Sequence, residues 1–218
     1  MSRFLISEHE QGTDGWRQDR AGRATASKAD CIDAKGRDGK SEGTTRRDYR
    51  VQLVTERLTG VPAENDYVSK EMAWGTEQEP YARMAYEAAT GEDVRQVGFL
   101  YLPDLQAGGS PDSLIGDEGL LEIKCPKSST HITYMQENRL PPAYVAQVTH
   151  SLWITGYRFV DFVSFDPRMP EYLQLFKVRV FRDEVDVNGH EAAVLRFLSE
   201  VDALEKQLRA RAPLKVAA

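Results

Sequence analysis

The residues best placed to do chemistry in this 218-residue sequence are Asp112, Glu122 and Lys124, in the stretch from Ser110 to Lys124. Its centre, Gly116-Asp117-Glu118-Gly119, is turn chemistry between the apolar pairs Leu114-Ile115 and Leu120-Leu121, so it reads as a hairpin. Glu122 and Lys124 stand two apart on the returning strand and leave from the same face. Asp112 ends the first arm and comes alongside Glu122 across the turn. Two facing carboxylates suit a hard divalent cation such as Mg²⁺, and an adjacent lysine can orient a water or offset charge on a phosphate. The plainer alternative is a polar hairpin with solvated charges. Leu121 and Ile123 alternate with the charges, however, and charge on an otherwise buried strand needs a reason.

Other words along the chain frame this hairpin. Trp74-Gly75 precedes Glu79, Gly109-Ser110 precedes Pro111-Asp112, and Cys125-Pro126 follows Lys124. Ala146-Gln147-Val148 and Phe165-Asp166-Pro167-Arg168-Met169 come later. Pro111-Asp112 with Glu122-Ile123-Lys124 resembles the PD-(D/E)xK nuclease motif. The ordered set, spanning roughly residues 14–170, resembles the phage lambda-type alkaline exonucleases of the YqaJ-like viral recombinase family. The short core motif is common by chance; the ordered words are far more specific.

Composition bounds the reading. Apolar residues make up 41% and charged residues 28%, ordinary values for a soluble globular chain, and no run of 18 apolar residues suggests a membrane span. The opening residues lack an apolar stretch long enough for a signal peptide, and two cysteines make no disulfide framework. A cytoplasmic protein is expected. Net charge is −6, yet residues 16–50 hold ten Lys or Arg against six acids, which leaves −10 on the remainder. A basic segment on an acidic body suits an enzyme that grips DNA locally and still moves, although a solvated basic loop has the same composition.

Taken in order, Trp16 and the small residues 24–27 suggest a short helix, then a second one capped by Ser27 and running to Ile32. A helix start beside Arg20 would be a ready anion site. Residues 35–45 hold three glycines and read as a flexible loop. Residues 46–59 have helical spacing and stop at Gly60 and Pro62. Residues 70–90 form another helix, with Tyr81, Met84, Ala85 and Ala88 as its apolar face and Gly91 as its end. Thr76 to Glu79 has the spacing of a capping box, although Pro80 fits better at the first helical position. Residues 94–108 alternate as strand material. Cys125 and His131 read as structural. Val145, Val148 and Leu152 form a helical face with Gly156 as cap; Gln147 lies off it, and Ser151 stands where the broader recombination-nuclease pattern has tyrosine. Residues 158–166 and 172–181 should pair antiparallel, residues 191–209 form a closing helix, and the tail from Ala212 frays.

The resemblance implies one α/β domain over residues 1–218, with a central mixed sheet flanked by helices. A DNA-end-binding segment would cover about 14–50, a catalytic core about 70–182, and a C-terminal helix about 183–210. It implies Mg²⁺-dependent 5′→3′ digestion of double-stranded DNA to mononucleotides, with Mn²⁺ as a substitute. Asp112, Glu122 and the Ile123 carbonyl would hold metal with Glu79 assisting, and Lys124 would position the attacking water. Arg20, Thr25, Ser27, Ser110 and Gln147 would hold the terminal 5′-phosphate, Arg37 would engage the DNA end, and Met72 would stand where the family has an apolar wedge. It further implies a homotrimeric ring, a single-strand annealing protein as partner, and a phage or prophage origin. Two rivals stay open: a PD-(D/E)xK nuclease of other polarity, such as an endonuclease, and a non-catalytic DNA-end-binding module.

Overall fold

The computed structural model describes residues 3–63 and 69–211. Nine strands and seven α-helices follow in order: β1 (Leu5–Ile6), α1 (Asp14–Arg20), β2 (Ala24–Thr25), α2 (Ala29–Ile32), α3 (Thr44–Thr59), α4 (Lys70–Thr90), β3 (Val94–Arg95), β4 (Leu100–Tyr101), β5 (Ala107–Gly109), β6 (Ser113–Ile115), β7 (Gly119–Lys124), α5 (Ser128–Glu137), α6 (Val145–Thr155), β8 (Phe159–Phe165), β9 (Leu175–Phe181) and α7 (Val187–Arg209). The expected mixed sheet is present in the order β3-β6-β7-β8-β9, with β7 at its centre. Only β7 and β8 run parallel, and the chain joins them through α5 and α6, as a parallel pair requires. A second sheet of very short strands, β1-β4-β5-β2, was not foreseen. It arises because residues 94–108 do not form one strand: Val97, Gly98, Phe99 and Leu100 are all buried, and the chain passes from one sheet to the other there.

The 116–119 turn does what its residues dictate. Gly116 takes a φ of 54° at the hairpin's tip, and β6 and β7 pair with Ser113 opposite Leu121. Side chains then alternate across the sheet. Leu121 and Ile123 pack with Ala82 and Tyr86 of α4, whereas Leu120 joins the core shared with α3, α6 and α7. Each face of β7 thus has its own apolar cluster, and Glu122 leaves on the α6 side.

Helix faces follow the sequence less faithfully. On α4 the buried residues are Gln78, Ala82 and Tyr86, and Tyr81 and Met84 are exposed at 58% and 64%. The buried face is chosen by Tyr86, whose hydroxyl donates to Asp161 at 2.7 Å, and by Ala82, which lets the helix approach β7 closely. Ser69 caps α4, so Pro80 lies inside it and the Thr76–Glu79 capping box does not form. Val51, Leu58 and Val145 are likewise exposed rather than core. Ser27 is not a cap: it lies within a 3₁₀ turn, Ala26–Lys28, that precedes α2. Residues 35–45 form a turn whose Asp38 carboxylate accepts from the Lys40 and Ser41 N–H groups and the Ser41 hydroxyl. The expected fraying from Ala212 lies outside the described residues. Among the described residues no helix is long and apolar enough to cross a membrane.

α7 packs on the body through Val194, Leu198 and Val201, and its Glu200 pairs with two arginines of the basic segment. Arg46 and Arg50 both bind Glu42 and Glu200, and Arg57 reaches Asp202. The local charge surplus of residues 16–50 is therefore partly internal. His150 of α6 is fully buried, and its Nδ1 lies 2.9 Å from Nε2 of His190 in α7. Burial, then the neighbouring His190, pushes its pKa down to about 3. The unfolded chain protonates near 6.5, so stability is lost as pH falls below that value. Between pH 6 and 4 the wild type should lose roughly 1 kcal/mol per pH unit more than His150→Asn. Urea titrations at pH 6, 5 and 4 measure this, and parallel pH profiles for the two proteins would refute it.

Candidate active site

Asp112 sits where the hairpin register puts it, opposite Glu122, its backbone N–H donating to the Leu121 carbonyl at 3.1 Å. Pro111 has no N–H, and its carbonyl instead accepts from Gln11 at 2.9 Å. The Asp112 carboxylate takes up the Ile123 N–H in the ladder's place. Lys124 donates from Nζ to Glu122, and Gln147 of α6 donates to the same Glu122 oxygen at 2.6 Å. The Lys124 ammonium also lies 5.2 Å from the centre of the Tyr144 ring, a cation–π contact. Asp112, Glu122 and Lys124 are thus brought together as the hairpin implies, and Gln147, expected with the phosphate-binding residues, instead joins this cluster through Glu122.

Their electrostatics are those of a crowded, poorly solvated group. Burial and then the charge of Glu122 push the Asp112 carboxyl well above its ordinary range. Burial alone would lower the pKa of Lys124, but Glu122 and Asp112 outweigh it and hold the ammonium protonated. Two acids thus face one cation, with Glu79 near enough to add to the negative field. Hard oxygen donors with surplus negative charge in a desolvated place fit a divalent cation, with the Ile123 carbonyl as a further oxygen. Asp112 and Glu122 would hold it.

Glu79 lies close enough to the acid pair to act on it through its charge. Its side chain is a third exposed and is bound by Arg83 at 2.7 Å, one turn further along α4. Burial first, with Glu122 adding, raises its pKa against the opposing pull of Arg83 and Lys124. Among the described residues no three His, Cys, Asp or Glu side chains form a common ligand set, and the carboxylate of Glu79 is held by Arg83.

A second cluster lies two residues upstream of Asp112. Arg20 donates to Ser110 Oγ at 3.3 Å and to Ser27 Oγ at 3.1 Å, and Thr25 Oγ1 is 3.5 Å from Ser27. Arg20 lies over the Trp16 ring at 4.3 Å, and the Trp16 indole N–H donates to Ser110 at 2.9 Å. Burial lowers the pKa of Arg20, and among the described residues it enters no ion pair. A desolvated guanidinium ringed by hydroxyls, with no carboxylate bound to it, suits a phosphate. Trp16, Arg83 and Tyr144 were not singled out by their spacing. Trp16 was legible only as a helix aromatic, and its role depends on Ser110, 94 residues later.

Two candidates stand apart. Arg37 is exposed on the turn between Lys35 and Glu42 and makes no hydrogen bond among the described residues. Met72 is exposed at 52% on the first turn of α4. Cys125 and His131 are structural: burial pushes the Cys125 thiol up to about 12, and His131 bridges Ser164 and the Leu173 carbonyl. The separate sequence words meet in space. Arg168 binds Asp166, donates to the Pro126 carbonyl at 2.9 Å and lies over the Trp74 ring at 4.8 Å. A groove of about 770 Å³ is bordered by Trp16, Glu79, Arg83 and Gln96. Another cavity, of about 550 Å³, lies between Arg158 and Asn188 at the far end of β8.

Residues 15–158 match the model of the YqaJ-like viral recombinase domain. The chain is similar to an alkaline exonuclease, LHK-Exo, from Laribacter hongkongensis: 36% identity, 90% of this chain and 96% of that one, TM-score 0.81. The same enzyme in complex with dAMP matches at TM-score 0.80 with the same identity and coverage. A phage-related exonuclease from Haemophilus somnus 129PT, at 16% identity, TM-score 0.64 and coverage of 86% and 95%, shares the fold. Among curated protein sequences none matches. The match across two thirds of the chain, together with the 36% identity to LHK-Exo, shows that this chain belongs to the YqaJ-like viral recombinase family.

Proposed function

We propose that the protein is an exonuclease of linear duplex DNA that digests 5′→3′ from phosphorylated ends, releases mononucleotides and leaves a 3′ single strand. The observation carrying this reading is that the acid cluster and the guanidinium pocket, whose Arg20 has no carboxylate bound to it among the described residues, are joined by the short segment Ser110-Pro111-Asp112, which links β5 to β6 with a bend at Asp112. Two residues of chain span at most about 7 Å, on the order of one nucleotide of backbone. A 5′-phosphate held by Arg20, Thr25, Ser27 and Ser110 would place the first phosphodiester beside Asp112 and Glu122.

Asp112 and Glu122 would bind Mg²⁺, or Mn²⁺ in its place, with the Ile123 carbonyl. The ion supplies Lewis-acid stabilisation of the phosphate and a water nucleophile at neutral pH. Lys124, cationic and pinned between Glu122 and Tyr144, orients the attacking water and faces the charge developing on phosphate. Gln147 keeps Glu122 in its rotamer and offers its amide toward the phosphate. Arg37 and Met72, both exposed, would contact DNA beyond the pocket. A homotrimeric ring and a partner that anneals single strands complete the proposal on family resemblance alone.

Linear duplex with 5′-phosphate ends should be digested at least tenfold faster than the same duplex with 5′-hydroxyl ends, and closed circular duplex should resist. Arg20→Gln should remove most of that preference, since a charge-assisted bidentate contact contributes on the order of 2 kcal/mol. Release of labelled mononucleotides from the four substrate and enzyme pairings reads this directly. Equal cleavage of circles would favour the endonuclease reading.

A further inference from the structure

Arg83 is bound at three points. Its Nη2 pairs with Glu79 at 2.7 Å, and its Nε donates to Ser113 Oγ at 3.2 Å. Gln96, with its amide oxygen turned inward, accepts from Nη1 and Nη2 at 3.1 and 2.9 Å. The guanidinium is only 12% exposed. Ser113 is fully buried, follows Asp112 and donates to the Asp112 backbone carbonyl at 2.6 Å. Strand alternation sets the geometry. Ser113 and its partner Leu121 face α4, whereas Asp112 and Glu122 leave on the α6 side. Glu79 therefore approaches the ion site from the opposite side of the sheet, and it does so held by a cation that is itself anchored to β6.

We propose that Arg83 is a positioning residue that holds Glu79 as an outer acid of the active site, outside the ion's direct ligand set and in register with Asp112. This rests on the metal-dependent nuclease reading and narrows it. Arg83 acts through Glu79: it offsets, together with Lys124, a carboxylate that adds to the charge of Glu122 and Asp112, and it holds that carboxylate in place, while the bond to Ser113 Oγ anchors Arg83 itself. A side chain tethered to three elements does not follow Glu79 toward an ion, so ion affinity is left to Asp112 and Glu122, and the contribution of Glu79 appears in the rate.

The test uses the full-length protein with Mn²⁺ as probe, its binding followed by electron paramagnetic resonance, alongside single-turnover digestion of a 5′-phosphorylated duplex. The proteins are wild type, Glu79→Gln, Arg83→Gln, Arg83→Lys, the Glu79→Gln/Arg83→Gln double variant and Asp112→Asn. Thermal melting confirms that each is folded. Glu79→Gln and Arg83→Gln should each slow digestion tenfold or more and leave Mn²⁺ affinity within threefold of wild type. The double variant should be no more than twofold slower than Glu79→Gln, because Arg83 works through Glu79. Arg83→Lys, which keeps the charge and loses the fork, should recover less than half of the lost rate. Multiplied losses in the double variant would overturn the proposal, as would a tenfold loss of Mn²⁺ affinity in Glu79→Gln. Asp112→Asn separates the two levels: if it binds Mn²⁺ as tightly as wild type, the ion site itself has been misplaced and the proposal falls with it.

Discussion

Lys124→Ala should slow mononucleotide release from a linear duplex by on the order of 10²–10³-fold at saturating Mg²⁺, the loss expected when one preorganised charge contact to a transition state is removed. Lys124 is suited to such a role because it is already held. Its ammonium is bound to Glu122 and lies 5.2 Å from the centre of the Tyr144 ring, and its side chain is only 26% exposed. Little reorganisation is needed when charge develops on phosphate. The variant should bind duplex in Ca²⁺ within a few fold of wild type, because the guanidinium pocket around Arg20 does not touch Lys124. Removing the ammonium also takes away the one cation facing Asp112 and Glu122, so the Mg²⁺ needed for half-maximal rate should stay constant or fall. Lys124→Met, nearly isosteric, should behave alike. A rate within tenfold of wild type, with Mg²⁺ dependence shifted upward, would assign Lys124 to structure rather than to the reaction.

Arg179→Met should destabilise the fold by about 3–5 kcal/mol, the cost of leaving a buried charge without its partner, and lower the melting temperature by roughly 10 °C. Asp161 lies in β8 with no exposure, bound by Arg179 through both oxygens at 2.7 and 2.8 Å and by the Tyr86 hydroxyl at 2.7 Å. Lys177, at 3.4 Å, is a weaker substitute. Burial alone would raise the Asp161 carboxyl, but the Arg179 and Tyr86 hydrogen bonds hold it below the ordinary value. Its stabilising contribution is therefore present above the unfolded value near 3.9 and is lost as pH falls through the folded one. Asp161→Asn should cost less than Arg179→Met, since the freed cations are partly exposed and can turn to water. Urea denaturation of both variants at pH 7 gives the comparison, and the reverse order of stabilities would refute the argument. Tyr86 belongs to α4, so the same network seats the helix that carries Glu79.

The reach of the sequence depended on how far apart the interacting residues stand. Asp112, Glu122 and Lys124 were legible because a tight turn fixes their register within fifteen residues, and two-residue periodicity then assigns the face. Helix ends marked by Gly60, Gly91 and Gly156 were legible for the same reason: each takes a positive φ between 70° and 74° that its missing side chain permits. The face of α4 was not legible. Tyr81 and Met84 are its more apolar side, but a hydroxyl contact to Asp161, 75 residues away, turns Tyr86 inward instead. Counting charge over residues 16–50 missed Glu200, which binds Arg46 and Arg50 from about 150 positions away. The phosphate pocket was placed by resemblance, and its Trp16 and the Arg83 anchor needed coordinates.

The two sheets differ in how they would open. Glu122 and Lys124 ride the central strand of five, hydrogen-bonded on one side to β6 and along its whole length to β8. Amide groups there should exchange with solvent only when the molecule unfolds as a whole. Arg20, Thr25 and Ser27 sit at a helix end, a two-residue strand and a 3₁₀ turn, units with few ladder bonds that are held instead by burial and by side chains, the Thr25 N–H donating to the Tyr49 hydroxyl at 2.9 Å. On the proposed function, the half of the site that would take up each new chain end is thus positioned by side-chain packing, and the half that keeps two carboxylates in register is positioned by the backbone ladder of the central strand, so the first can adjust to a new end while the second keeps its geometry.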